Sequence, residues 1–143
     1  MPRILIVDDE ASIVTMLRTL FESASFEVQS AGSAAEAKSR LKNSQFDIVM
    51  TDMRMETSGA GYEVVRAAAE LQPRPAIAIL TAFPIPSAEF RAYGADLLFV
   101  KGSDLLSLPD KLQAVLKQRR KTKARSSLTE EPRLGSCSQA KSE

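Results

Sequence analysis

The chain has 143 residues, 44% hydrophobic and 26% charged, which suits one domain with a substantial core. It has no His, and its single cysteine, Cys137, lies in a polar C-terminal stretch. Histidine-dependent catalysis, imidazole or thiolate metal sites and a disulfide framework are therefore excluded, and any metal must be a hard cation held by oxygen. The first apolar run, Ile4–Val7, reads as a strand buried on both faces. Ile13, Met16, Leu17, Leu20 and Phe21 follow at helical spacing, and Phe26–Ser30 is a short alternating strand. Ser33 and Glu36 form a capping box that opens a second helix, with Ala37 and Leu41 inward. Phe46–Met50 is expected as a third strand, and a helix through Val64, Val65, Ala68 and Leu71 ends at Pro73 and Pro75. Ala76–Leu80 is a fourth strand, Ser87 caps a short helix to Tyr93 closed by Gly94, and Leu97–Val100 is a fifth strand. Ser107-Leu-Pro-Asp110 starts a last helix with Leu108, Leu112, Val115 and Leu116 on one face.

Strands and helices in alternation imply an α/β fold, a parallel sheet with helices on both faces. Of the two common doubly wound orders, 2-1-3-4-5 suits five strands, which makes the fold flavodoxin-like. Residues 1–120 form the expected domain. From Lys117 to Glu143 there are eight basic and three acidic residues, so a basic tail follows an acidic body. Residues 121–143 are expected to be polar and disordered. No aromatic is interleaved with "KQRRKTKARSS", and Glu130 and Glu131 follow, which speaks against direct nucleic-acid binding. No segment has the length of a signal peptide or membrane span, so the expectation is a cytoplasmic protein without a membrane partner.

The buried first strand ends on three acids, Asp8, Asp9 and Glu10. Carboxylates so placed repel one another and resist desolvation. In the 2-1-3-4-5 order, strands one and three are neighbours, so Asp8 and Asp9 converge with Asp52, just after strand three. Such a rim suits Mg²⁺, which takes one or two carboxylates, keeps water and contacts phosphate. Strand four ends on Thr81 and Ala82, and strand five on Lys101. A carboxylate nucleophile, a metal, a hydroxyl, a small residue with an available amide and a lysine around one point make a phosphoryl site. Asp52 is the expected acceptor, with Mg²⁺ and Lys101 neutralising the phosphoryl oxygens.

The stretches "ILIVDDE", "DIVMTDMRM", "AIAILTAF" and "YGADLLFVK" resemble the response-regulator receiver domain over about residues 2–120. The resemblance implies phosphotransfer to Asp52 from a sensor histidine kinase or a histidine phosphotransfer protein, with signalling through an output partner that the sequence does not name. It implies that Asp9, Asp52 and the Arg54 backbone carbonyl bind Mg²⁺, with Asp8 acting through water. It implies that Thr81 and Lys101 hold the phosphoryl group, and that Thr81 moves on activation. Homodimers are common in the family. The chain departs from the family pattern at Glu56 and Gly102, where prolines are usual, and at Leu98, where an aromatic switch residue is usual. Arg54 and Phe83 lie two residues after the acceptor and the switch Thr, near the path of an attacking water, so the expectation is a long-lived phosphoryl group. Two other classes stand beside this reading. An Mg²⁺-dependent phosphohydrolase with an Asp nucleophile usually needs a second Asp where this chain has Arg54. A receiver-like docking module would never take phosphate. The chain is also open to being a receiver fragment of a longer regulator.

Overall fold

A computed structural model describes residues 1–53, 55, 59–102 and 105–130, with the backbone alone for 120–130. The elements run β1 (Arg3–Val7), α1 (Ala11–Ser23), β2 (Glu27–Ala31), α2 (Ala34–Asn43), β3 (Ile48–Asp52) and α3 (Ala60–Ala69). They continue with β4 (Ala76–Thr81), α4 (Ser87–Tyr93), β5 (Leu97–Val100), a 3₁₀ turn (Leu105–Ser107) and α5 (Leu108–Glu130). The sheet is parallel throughout, in the order β2-β1-β3-β4-β5, the expected flavodoxin-like arrangement. The chain divides into two compact units, Met1–Asp110 and Lys111–Glu143. The first holds the sheet, and the second holds most of α5.

The central strands are buried on both faces, which explains their unbroken apolar runs. Leu5, Val7, Val49, Ile77 and Ile79 join Ala37 and Leu41 of α2, Val64, Val65 and Ala68 of α3 and Phe90 of α4 in one core. The alternate residues Ile4, Ile6, Ile48, Met50 and Leu80 are also buried, as are Leu17 and Phe21 of α1. Phe21 meets Phe26 edge to face, with ring centroids 5.0 Å apart.

Local chemistry sets the helix ends. Ser33 Oγ accepts from Glu36 N–H at 3.1 Å, while Glu36 Oε1 reaches back to accept from Gly32 N–H at 2.9 Å. The capping box is thus present, with its return bond one residue earlier than the standard pattern. Gly94 closes α4 with a left-handed φ of 110°. Several boundaries differ from the sequence reading: β1 begins at Arg3, β2 is Glu27–Ala31 rather than Phe26–Ser30, α3 ends at Ala69 before Leu71, and β4 runs on to Thr81. Strand β3 begins at Ile48 rather than Phe46 and so contains Asp52. Phe46 is buried and apolar, but it precedes the strand, beneath the Arg3 guanidinium at 5.5 Å. Pro86, not Ser87, is the N-cap of α4, and no side chain caps it. Helix α5 continues past Arg120 to Glu130. That stretch contains no Gly or Pro before Pro132, so nothing in it breaks a helix even though apolar periodicity has ended. Residues 131–143 lie outside the described residues.

Candidate functional site

The sheet order delivers the ends of β1, β3, β4 and β5 to one rim. Asp8 and Asp9 follow β1, Asp52 ends β3, Thr81 ends β4 and Lys101 follows β5. Asp8, Asp9 and Asp52 each present a carboxylate oxygen within 4.8 Å of the others. Asp8 is buried, Asp52 is partly buried and Asp9 is exposed, so the cluster opens to solvent on the Asp9 side. Lys101 Nζ stands among these acids, 3.0 Å from Asp8 Oδ2, 3.4 Å from Asp52 Oδ2 and 3.8 Å from Glu10 Oε1. Its own backbone N–H donates to the Thr81 carbonyl at 2.7 Å, which ties β5 to β4 beside the site.

Two of the three carboxylates are oriented by local amides. Glu10 N–H donates to Asp8 Oδ1 at 3.0 Å, and Met53 N–H donates to Asp52 Oδ1 at 2.8 Å. Asp8 Oδ2 is different. It is buried and lies beside the Lys101 ammonium, yet it has no hydrogen-bond partner of good geometry. Ion pairing without a directed hydrogen bond leaves part of its desolvation cost uncompensated. A buried carboxylate oxygen in that state, next to two further carboxylates, fits a hard cation such as Mg²⁺.

The electrostatics are tense without such an ion. Burial pushes the Asp52 carboxyl above its ordinary range, the Asp8 charge pushes it further, and Lys101 pulls it back only in part. Burial draws the Lys101 ammonium down, but its ion pairs with Asp8 and Asp52 outweigh this and leave it raised. Thr81 is buried, and its Oγ1 accepts from Phe83 N–H at 3.3 Å. A hydroxyl that accepts in this way still has its proton to donate.

The candidate residues fall into two groups. Asp8, Asp9, Asp52 and Lys101 are brought together in one cluster, and Thr81 is joined to Lys101 through the backbone. Ala82 is exposed in the loop after β4. Arg54, the expected carbonyl ligand, and Glu56 lie outside the described residues. Leu98 is half-buried and packs on the core beside α2, α3 and α4. It pairs with Ile79 in register, so the next residue, Phe99, sits on the opposite face of the sheet. The sequence reading assigned no role to Glu10 or to the Met53 amide. Glu10 was legible as the third acid of "DDE"; the amide carries no side-chain signal. A cleft of about 350 Å³ is lined by Leu41–Phe46 and Leu71–Pro73, before β3 and β4 and so away from these residues.

Residues 4–113 match the family model described as the response regulator receiver domain. The chain belongs to that family. Its members are phosphoacceptor switches of two-component signalling rather than enzymes. The transcriptional regulatory protein ZraR of Salmonella typhimurium is 31% identical over 85% of this receiver chain, which spans only 28% of ZraR. A CheY-like receiver domain protein from Methanospirillum hungatei superposes with a TM-score of 0.77, at 25% identity, over 85% of this chain and 98% of the other. The response regulator TrrA of Thermotoga maritima, solved in complex with Mg²⁺ and BeF, gives a TM-score of 0.70 at 27% identity, over 80% of this chain and 98% of TrrA. Among the described residues, no helix of the receiver is long and apolar enough to cross a membrane.

Proposed function

We propose that this receiver takes a phosphoryl group from a phosphohistidine onto Asp52, and that it signals by binding a partner when modified. The observation that carries the reading is Asp52 at the end of β3, within reach of both Lys101 and the buried, incompletely satisfied Asp8. An Asp52 Oδ attacks phosphorus in line, an O–P bond forms, and the P–N bond breaks with its electron pair going to the imidazole. The Met53 N–H holds the Asp52 carboxylate in place for the attack. Lys101 and the Thr81 hydroxyl receive the charge of the transferred oxygens. Asp9, Asp52 and the Arg54 carbonyl would hold Mg²⁺, with Asp8 acting through water. The ion supplies neutralising charge for the phosphoryl group when bound.

The donor fits a sensor histidine kinase or a histidine phosphotransfer protein, and the TrrA complex with Mg²⁺ and BeF supports the same cofactor here. The proposed receiver boundary of 1–120 encloses the matched residues 4–113, and the proposed location is cytoplasmic. The test is intact mass after incubation with acetyl phosphate, with and without Mg²⁺, beside Asp52→Asn. One phosphoryl adduct is expected on the wild type, only with Mg²⁺, and none on the variant. An unlabelled wild type, beside a receiver that does label, would replace this reading with a docking module that never takes phosphate.

A further inference from the structure

Asp52 is connected to α4 by a short path through α3. Met53 donates its N–H to Asp52 Oδ1, and the Met53 carbonyl accepts from Gly61 N–H at 3.0 Å. A Cβ on Gly61 would collide with the Asp52 carbonyl oxygen and with Met53 Cα, so the first turn of α3 is seated directly on the acceptor's backbone. The next residue is Tyr62. Its ring stacks on Tyr93, the last residue of α4, with centroids 3.7 Å apart and planes 11° from parallel. The Tyr62 hydroxyl donates to Glu89 Oε2 at 2.8 Å, and the Arg66 guanidinium lies 5.8 Å from the Tyr93 ring. Three contacts therefore run from one face of α3 to α4.

Helix α4 is otherwise held mainly by Phe90 in the core and by its contact with β5. It is seven residues long, has no side-chain N-cap bond and buries one side chain, Phe90. A helix of this length is not stable alone, so its placement depends on what holds it. It also packs against β5, and its N-terminal side continues into the loop 82–86, which begins at Thr81 in the site.

We propose that the Tyr62–Tyr93 stack is a clasp that couples occupation of Asp52 to the position of α4. The proposal rests on Asp52 as the phosphoacceptor. An adduct on Asp52 forces its carboxylate to readjust against the Met53 amide. The close seating of Gly61 leaves little slack between that backbone and Tyr62. The clasp loosens when Asp52 is occupied, and by linkage it then opposes occupation to the same degree. Removing the stack should tighten binding of a phosphoryl mimic by roughly two- to tenfold, the worth of one aromatic pair.

The test is a beryllofluoride titration of the full chain in Mg²⁺, with bound fluoride followed by ¹⁹F NMR. Tyr62 and Tyr93 are the only tyrosines and there is no Trp, so the tyrosine band of the near-UV circular dichroism reports on the clasp alone. The expected result is a changed tyrosine band on binding, a Tyr93→Leu variant that binds two- to tenfold more tightly, and a Tyr93→Phe variant that keeps the wild-type affinity. Bound fluoride with an unchanged band and unchanged Tyr93→Leu affinity overturns the clasp and leaves Asp52 as the acceptor. No bound fluoride on the wild type overturns both. If Tyr93→Leu does not fold, the wild-type band decides.

Discussion

Lys101 lies within ion-pair distance of Asp8 and Asp52 at once. Replacing it with Met leaves a buried Asp8 charge without a partner. The expected cost is about 3 kcal/mol in urea unfolding without Mg²⁺, and added Mg²⁺ should restore part of it. Asp52 behaves oppositely. Burial first, then Asp8, raise its folded pKa above the unfolded value. The stability it contributes is present at pH below the unfolded carboxylate value and is lost as pH rises through the folded one. At neutral pH its ionised form is therefore a burden, and Asp52→Asn should raise the Tm measured in EDTA. The two variants together separate the lysine's pairing role from the crowding of the carboxylates. Gly102 belongs to the same scale. Its φ of 104° is closed to proline, whose ring fixes φ near about −65°. The backbone after Lys101 thus takes a different route from a Lys-Pro sequence.

At the scale of elements, the apolar runs and capping signals carried most of the fold. Ile4–Val7 and Ala76–Leu80 were legible because strands buried on both faces contain no polar interruption. The boundary of β3 was not, because Phe46 is as apolar as a strand residue yet lies before the ladder. The end of α5 was not legible either, since a helix lacking an apolar face leaves no periodic trace. The candidate site was legible as residue types at strand ends, but its contacts were not. Nothing in the spacing of Tyr62 and Tyr93 foretells a stack between two helices, and Glu10 is brought near Lys101 only by the sheet order. Gly61 marks where α3 meets Asp52, the proposed acceptor. Gly61→Ala should cost about 1–3 kcal/mol through overpacking against the Asp52 and Met53 backbone. It should also slow labelling by acetyl phosphate. Ser33→Ala, which removes the side-chain N-cap of α2, should cost about 1 kcal/mol and leave labelling unchanged, which makes it the control.

For the whole molecule, the parallel order β2-β1-β3-β4-β5 does the functional positioning. It gathers acids from β1 and β3 with a hydroxyl and a lysine from β4 and β5, residues remote in sequence, on one solvated rim. A rim of this kind fits a hard cation in the native state, and the unfolded chain offers no such cluster. Mg²⁺ should therefore raise the Tm of the wild type by mass action, and Asp9→Asn with Asp52→Asn should abolish that rise. The central claim is narrower, that Asp52 is the residue modified. Its most direct measurement is borohydride reduction of the chain after treatment with acetyl phosphate and Mg²⁺, followed by tandem mass spectrometry of the peptides. The account predicts homoserine at position 52 and unmodified Asp8 and Asp9. Reduction at Asp8 or Asp9 instead, or no reduced residue in a chain whose Tm responds to Mg²⁺, would contradict it.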